Sequence, residues 1–310
     1  MMKFAKGMAP LAWGLLSIWT TSPALAEDAV QQSRDDAWWT GPILAVSANG
    51  PGQGHVLAES YLYDQAEDHS QSYRSFNYLL YGLSDHFTLG VIPVFGINKA
   101  EGAHAQFGMS DLTFQAQYTL ADFDPKTQMP AIAVALRQSI ATGKYDRLNQ
   151  VTEAFGAGSG ATSLGLFTQD YFWLPNGRIL RVRADALASV FATAHVEDAS
   201  VFGTPSGFGG HARPGDAVSL DVSFEYSLTR SWVLATELLY DHGDADHVEG
   251  ADAGRQLRFD LGSSDGFGFA PAVEYSWLPN WGVLLGTRIL PSGRNRPFSV
   301  TPAIALNVVT

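Results

Sequence analysis

The sequence contains no cysteine. Disulfides and structural zinc–thiolate centres are therefore excluded as sources of stability. Positive charge is scarce: 19 Lys and Arg stand against 31 Asp and Glu, for a formal net charge of −12. So acidic a chain is a poor partner for nucleic acid. Beyond the N-terminal leader, no stretch approaches the roughly 18 apolar residues that a membrane-spanning helix needs. A helical membrane protein is thereby excluded. No Pro/Gly/Ser-rich linker separates two compositional regimes, so one main domain is expected.

The first residues read as an export leader. Lys3 and Lys6 supply its positive region, Leu11 to Trp19 its short apolar run, and Ala24-Leu25-Ala26 a small-residue cleavage site. Residues 1–26 are expected to be the signal peptide, with Glu27 the mature start. Residues 27–53, with Trp38-Trp39 and Pro51-Gly52, read as an irregular periplasmic segment. It is too short for a folded plug and is expected in the periplasm or tucked into a barrel mouth.

From residue 54 to residue 310 the pattern changes to a period of two. Val218, Leu220, Val222, Phe224, Tyr226 and Leu228 are apolar or aromatic, and Ser219, Asp221, Ser223, Glu225 and Ser227 separate them. Such alternation puts the two sets on opposite faces of one strand. Twelve segments of this kind are expected near 55–64, 72–83, 86–97, 108–120, 130–140, 162–173, 178–192, 216–228, 231–241, 266–277, 281–290 and 298–309. Their length suits tilted strands crossing a bilayer. Tight connectors such as Ser84-Asp85, Leu174-Pro175-Asn176-Gly177, Thr229-Arg230-Ser231 and Leu278-Pro279-Asn280 alternate with long ones at 141–161, 193–215 and 242–265. The fold class that follows is all-β: a transmembrane antiparallel β-barrel of about 12 strands, with short periplasmic turns and long extracellular loops. It belongs in the bacterial outer membrane, in contact with lipid and lipopolysaccharide. An even strand number keeps both ends of the barrel on the periplasmic side.

Aromatic residues gather at the tight turns. Phe87, Trp173, Trp232, Trp277 and Trp281 are expected to form the girdle at the periplasmic membrane interface, where a ring is half buried and an indole N–H still meets water. Charged residues on the lipid face are disfavoured. Parity therefore assigns Glu59, Asp111, Thr113, Gln115, Gln117, Arg137, Arg181, Arg183, Asp185, Asp221, Glu225, Glu237, Glu274 and Arg288 to the lumen, and Asp170 is expected to join them. These groups could pair off and fill the interior or line a conduit; the reading favours a narrow passage.

Catalytic and metal signals are weaker. Gly262-Ser263-Ser264-Asp265-Gly266 matches a nucleophile elbow, but a strand follows it where that motif needs a helix. Of the histidines, His69, His104, His195, His211, His242 and His247 fall in outer connectors, and His55 and His86 at periplasmic ends. A lipid hydrolase would use His195 or His242 as base with Ser264. The run His242, Asp244, Asp246, His247, Glu249 and Asp252 is dense in carboxylates but lacks the spacing of a helix–loop–helix calcium site. Gly156, Gly158 and Gly160 have no following Lys-Ser/Thr, so they do not form a phosphate loop. No metal, no cofactor and no enzymatic activity are expected.

Several short signatures occur together: Trp39-Thr40-Gly41-Pro42, Gly54-His55, Tyr61-Leu62-Tyr63, Tyr81-Gly82-Leu83-Ser84-Asp85, Gly90-Val91-Ile92-Pro93 and Pro302-Ala303-Ile304. On these the chain resembles the outer-membrane transporter family named for the MetA pathway of phenol degradation. The resemblance spans most of the chain after the leader. It implies an outer-membrane barrel for uptake or efflux of small aromatic or hydrophobic compounds, and it carries over no catalytic residues. Many outer-membrane barrels end in Phe, whereas this sequence ends Val308-Val309-Thr310, which points to a variant assembly signal. The expected function is a channel or transporter for small solutes. The alternatives are a closed barrel acting through its outer loops, as adhesin or surface scaffold, and an outer-membrane lipid hydrolase.

Overall fold

The computed structural model describes residues 30–67 and 69–310; the leader read in residues 1–26 and the cleavage point before Glu27 lie outside the described residues. The strands in chain order are β1 (Val56–Glu67), β2 (Ser70–Gly82), β3 (Phe87–Ile92), β4 (Val94–Ala100), β5 (Gln106–Met109), β6 (Leu112–Ala121), β7 (Ala131–Ile140), β8 (Ala161–Trp173), β9 (Ile179–Phe191), β10 (Ala194–Glu197), β11 (Phe208–Arg213), β12 (Ala217–Ser227), β13 (Trp232–Gly243), β14 (Asp246–Asp252), β15 (Arg255–Leu261), β16 (Ser264–Leu278), β17 (Trp281–Leu290) and β18 (Ser299–Val309).

Fourteen of them form one sheet in the order β1-β18-β17-β16-β13-β12-β9-β8-β7-β6-β3-β2-β4-β5, and β1 pairs with β2 to close it. β3 and β4 are two halves of one pass, interrupted at Pro93, which has no N–H for the ladder. β5 and β6 are likewise halves of one pass, broken at Ser110-Asp111. The result is the twelve-stranded closed antiparallel barrel that the alternation predicts. Closure removes the sheet edge, which hydrocarbon could not tolerate.

Each wall strand keeps the period of two. Along β13, Val233, Ala235, Glu237 and Leu239 are buried, while Trp232, Leu234, Thr236 and Leu238 are exposed. Leu238, Leu285, Phe269, Ile304 and Leu306 belong to the same outward apolar surface. So continuous an apolar exterior is inconsistent with water and matches lipid.

The long connectors depart from their expected irregular form. β10, β11, β14 and β15 form a second sheet, in that order, at the end of the barrel opposite the tight turns. Its inner face buries Val196, Phe202, Phe208 and Val248, with Tyr145, Leu257 and Phe259 packed against them. The two outer loops thus share a small apolar core of their own.

Candidate functional site

Residues 37–50 occupy the lumen. Expected in the periplasm or at the mouth, the segment instead threads between the walls, and the inward-facing side chains explain how. It is tied first to the tight-turn end. Gln32 N–H donates to the Gly177 carbonyl (2.8 Å), and Trp38 N–H donates to that of Arg230 (2.9 Å). Thr40 then donates to Glu274 through both its N–H (2.8 Å) and its hydroxyl (3.0 Å), and Gly41 N–H donates to the same oxygen (3.1 Å). Glu237 accepts three consecutive backbone N–H groups, from Ile43 (2.9 Å), Leu44 (2.8 Å) and Ala45 (2.7 Å). Asp185 accepts the next, from Val46 (2.6 Å).

Segment carbonyls are satisfied in the same way. Asn307 Nδ2 donates to the Thr40 carbonyl, the Tyr61 hydroxyl to Pro42, Arg183 Nη1 to Ala45, Gln117 Nε2 to Ser47 and the Thr119 hydroxyl to Ala48. The chain then leaves beside Thr88 and the β2–β3 turn and enters β1. A strap without secondary structure can lie inside because wall side chains take the place of a sheet partner.

Room for the strap comes from small inward residues: Ala131, Ala133 and Ala135 on β7, Ala270 and Ala272 on β16, Ala303 and Ala305 on β18. At Gly282 and Gly286 the approach is closest. A Cβ at Gly282 would lie 2.0 Å from Thr40 Cγ2, and one at Gly286 would lie 2.6 Å from Ile43 Cδ1. Gly41 itself has φ +99°, a conformation that L side chains rarely adopt.

Charge is organised in two tiers. Below the strap, Arg181 pairs with Glu225 through Nε (2.9 Å) and Nη2, and Arg183 Nε approaches the same carboxylate at 3.1 Å. The Arg181 guanidinium also lies 4.4 Å from the centroid of the Trp39 ring. Glu225, Glu237 and Glu274 are each 0 % exposed. A buried acid bracketed by two guanidiniums fixes one arrangement of the interior. Above the strap, Asp241 accepts from Arg288 (2.8 Å) and Arg296 (3.1 Å). Arg137 Nε donates to Gln115 (2.7 Å).

Cavities remain on both sides. One of about 310 Å³ runs beside the strap, lined by Glu59, Tyr61, Tyr78, Gln115, Arg181 and Arg183 among others. A second, of about 240 Å³, lies above it between Leu44, Val46, Asp185, Asp221 and Arg288.

The structure thus turns Glu59, Gln115, Arg137, Arg181, Arg183, Asp185, Asp221, Glu225, Glu237, Glu274 and Arg288 inward. Two residues, Asp170 and Trp173, differ from expectation. Asp170 shares the outward face of β8 with Leu164, Leu166 and Phe172, because burial falls on Ser163, Gly165, Phe167, Gln169 and Tyr171. Trp173 follows that buried parity. Its indole N–H donates to the Gln32 carbonyl (2.8 Å) and its ring packs near Phe123, so it lies inside the periplasmic mouth and not on the girdle face. Asp111 lies in the break between β5 and β6, where it accepts N–H groups of Thr142, Gly143 and Ala157 and so anchors an outer loop. Phe87, Trp232, Trp277 and Trp281 face outward at the tight-turn end, and Trp232, Tyr275, Trp277 and Trp281 form a chain of ring contacts.

Ser264 pairs with Gly243, one step from the His242–Asp265 pair, so its hydroxyl and the His242 ring fall on opposite faces of the wall. The acidic run after Asp241 becomes β14, with His247 on Asp260 and Asp246 accepting from Gly215. Among the described residues no group of three or more His, Cys, Asp or Glu side chains is arranged to hold a metal.

Sequence reasoning missed the strap residues Thr40 to Ala48. Two signals pointed to them: the Trp39-Thr40-Gly41-Pro42 signature, and a lumen wall too rich in Ala and Gly to fill itself.

A closed twelve-stranded barrel with an apolar exterior and a polar, strapped interior is an outer-membrane β-barrel, resident in the bacterial outer membrane. Its sequence matches the family described as "Putative MetA-pathway of phenol degradation" over residues 41–301, and the chain belongs to that family. Comparison with curated proteins finds no match. Among solved structures, the COG4313 outer membrane channel from Pseudomonas putida F1 aligns with a TM-score of 0.66 at 14 % identity, covering 86 % of this chain and 100 % of that one. The beta domain of the Bordetella autotransporter Brka aligns with a TM-score of 0.44 at 11 % identity, covering 82 % and 98 %.

Proposed function

We propose that this barrel is a channel for small solutes whose path runs past the strap, and that amphiphilic compounds, with a polar group on an aromatic or apolar body, are what it passes. The observation that carries this reading is the pair of cavities on either side of residues 37–50. Both combine fixed charges with apolar or aromatic walls, the lining that small-molecule sites use. A merely structural interior would pack to native density there. The family membership and the likeness to an outer-membrane channel support the same reading.

In this reading the outward Phe87, Trp232, Trp277 and Trp281 sit at the periplasmic headgroups, and the outer sheet meets lipopolysaccharide. The strap limits the passage, so the wild-type pore is narrow. The test is reconstitution in planar bilayers and swelling liposomes, comparing the wild type with a chain lacking residues 31–50. We expect small currents and slow entry of small solutes for the wild type, and markedly larger values for the shortened chain. A wild type that passes neither ions nor solutes would reject the open-channel form of this reading.

A further inference from the structure

The upper cavity brings two carboxylates of the wall together. Asp185 on β9 and Asp221 on β12 are directly opposite one another in the ladder. Like charges so placed repel. Elsewhere in the lumen Glu225 has Arg181 and Arg183, Asp241 has Arg288 and Arg296, and Glu237 and Glu274 hold donors from the strap. Asp221 has none. Both its carboxylate oxygens are buried without a hydrogen-bond partner among the described residues, and so is Asp185 Oδ1, whose sister oxygen holds the Val46 N–H. Three carboxylate oxygens thus line one cavity without a hydrogen-bond donor among the described residues. Burying a carboxylate in this way is unfavourable unless a donor or cation meets it. The lining also holds Ser219, Arg137 and the Asp241–Arg288 pair, and its apolar part comes from Leu44 and Val46 on the strap and Phe167, Leu187, Leu220 and Leu239 on the wall.

We infer that this cavity is a selectivity site for small organic ammonium ions. The ammonium N–H groups are held between Asp185 and Asp221, and the apolar body lies against Leu44, Val46, Leu187 and Leu239. This deepens the channel reading and rests on it, since the solute must reach the cavity through the lumen.

Two features favour an organic monocation over a divalent metal. Three oxygens fall short of the six to eight that calcium takes. Arg137, whose Nη2 is buried without a partner, lines the same cavity. Its guanidinium opposes a compact double charge more than a single one carried on an apolar body. Apolar walls also discriminate by size: ammonium itself would leave Leu44 and Leu239 uncovered, whereas a butyl chain covers them.

The test is single-channel recording of the full-length barrel in potassium chloride. Under a salt gradient the reversal potential should show cation preference. Added n-butylammonium should block the potassium current at lower concentration than ammonium does, and n-butyrate should not block. Asp221→Asn, which keeps shape and removes charge, should raise the blocking concentration roughly tenfold, the size of one charge-assisted hydrogen bond. Its barrel assembly is checked by the band shift between unboiled and boiled samples on SDS gels. Equal block of wild type and variant, stronger block by n-butyrate, or block by calcium with none by n-butylammonium would each overturn the inference while leaving the channel intact. If Asp221→Asn fails to assemble, the wild-type comparison of the four blockers decides alone. If the wild type passes no current, the channel reading fails. Calorimetric titration of n-butylammonium into the detergent-solubilised barrel then tests the site directly: binding sustains it and no heat overturns it.

Discussion

Glu237 shows how much one side chain can organise. It stands 0 % exposed on β13 and receives the N–H groups of Ile43, Leu44 and Ala45 in succession. Hydrogen bonds to a charged acceptor contribute about 1.5–3 kcal/mol each. Glu237→Ala should therefore release the middle of the strap without dissolving the barrel. Hydrogen exchange is expected to show the amides of residues 43–45 losing protection by tenfold or more, while those of β13 and β16 keep theirs. Asp170 makes the opposite case. It is a carboxylate on the lipid-side face of β8, with its Oδ1 accepting from the adjacent Tyr171 N–H (2.7 Å). Acids near a bilayer interface are tolerated at a cost of up to about 1 kcal/mol. Asp170→Leu is accordingly expected to stabilise the barrel by that order, read as a shift of the denaturant midpoint for refolding into vesicles. Glu237 shows a charge that the fold needs; Asp170 shows one that it tolerates.

The outer sheet is an element expected to respond to acid. Two ion pairs hold the loop at 144–153 and the start of the sheet. Lys144 pairs with Glu153, and Arg147 with Glu197. Hydrogen bonding to Lys144, aided by the Asn149 N–H, holds the Glu153 carboxyl below its ordinary value of 4.5. Hydrogen bonding to Arg147, and then to His195, does the same for Glu197. A carboxyl whose pKa is depressed in the folded state stabilises above its unfolded pKa, and that stability is lost as pH falls through the folded value. Loop and sheet should thus be fully held at pH values above 4.5 and loosen progressively below it. Amide exchange in residues 144–153 and 194–201 is expected to accelerate as pH falls below 4.5 while the wall strands stay protected. Acceleration on raising the pH instead would show that these pairs do not govern the element. β8 is instructive at the same scale. Its parity was ambiguous in the sequence because both faces carry apolar residues, and the register with β7 and β9 resolved it. That register turned Trp173 in and Asp170 out.

At the scale of the molecule, closure through β1–β18 leaves no edge from which unfolding can start. Unboiled protein should therefore migrate differently from boiled protein on SDS gels. Identical mobility would count against a closed barrel. The sequence by itself determined the class of architecture. Period-two alternation, the tight and long connectors and the aromatic turns are local properties, and strand, turn and membrane face follow from local rules. Inward parity of Glu59, Arg181, Glu225, Glu274 and their neighbours was legible for the same reason. The strap was not. Residues 37–50 have no periodicity, and their place depends on wall groups from about 70 to more than 260 residues away in the chain, such as Gln117, Thr119, Asp185, Glu237, Glu274 and Asn307. The outer sheet was hidden likewise, since β10, β11, β14 and β15 come from two separate connectors that meet only when the barrel brings their roots together. What the tertiary structure alone decided is what fills the barrel and what covers it, because both are fixed by hydrogen bonds and packing between segments whose local sequence gives no sign of a partner.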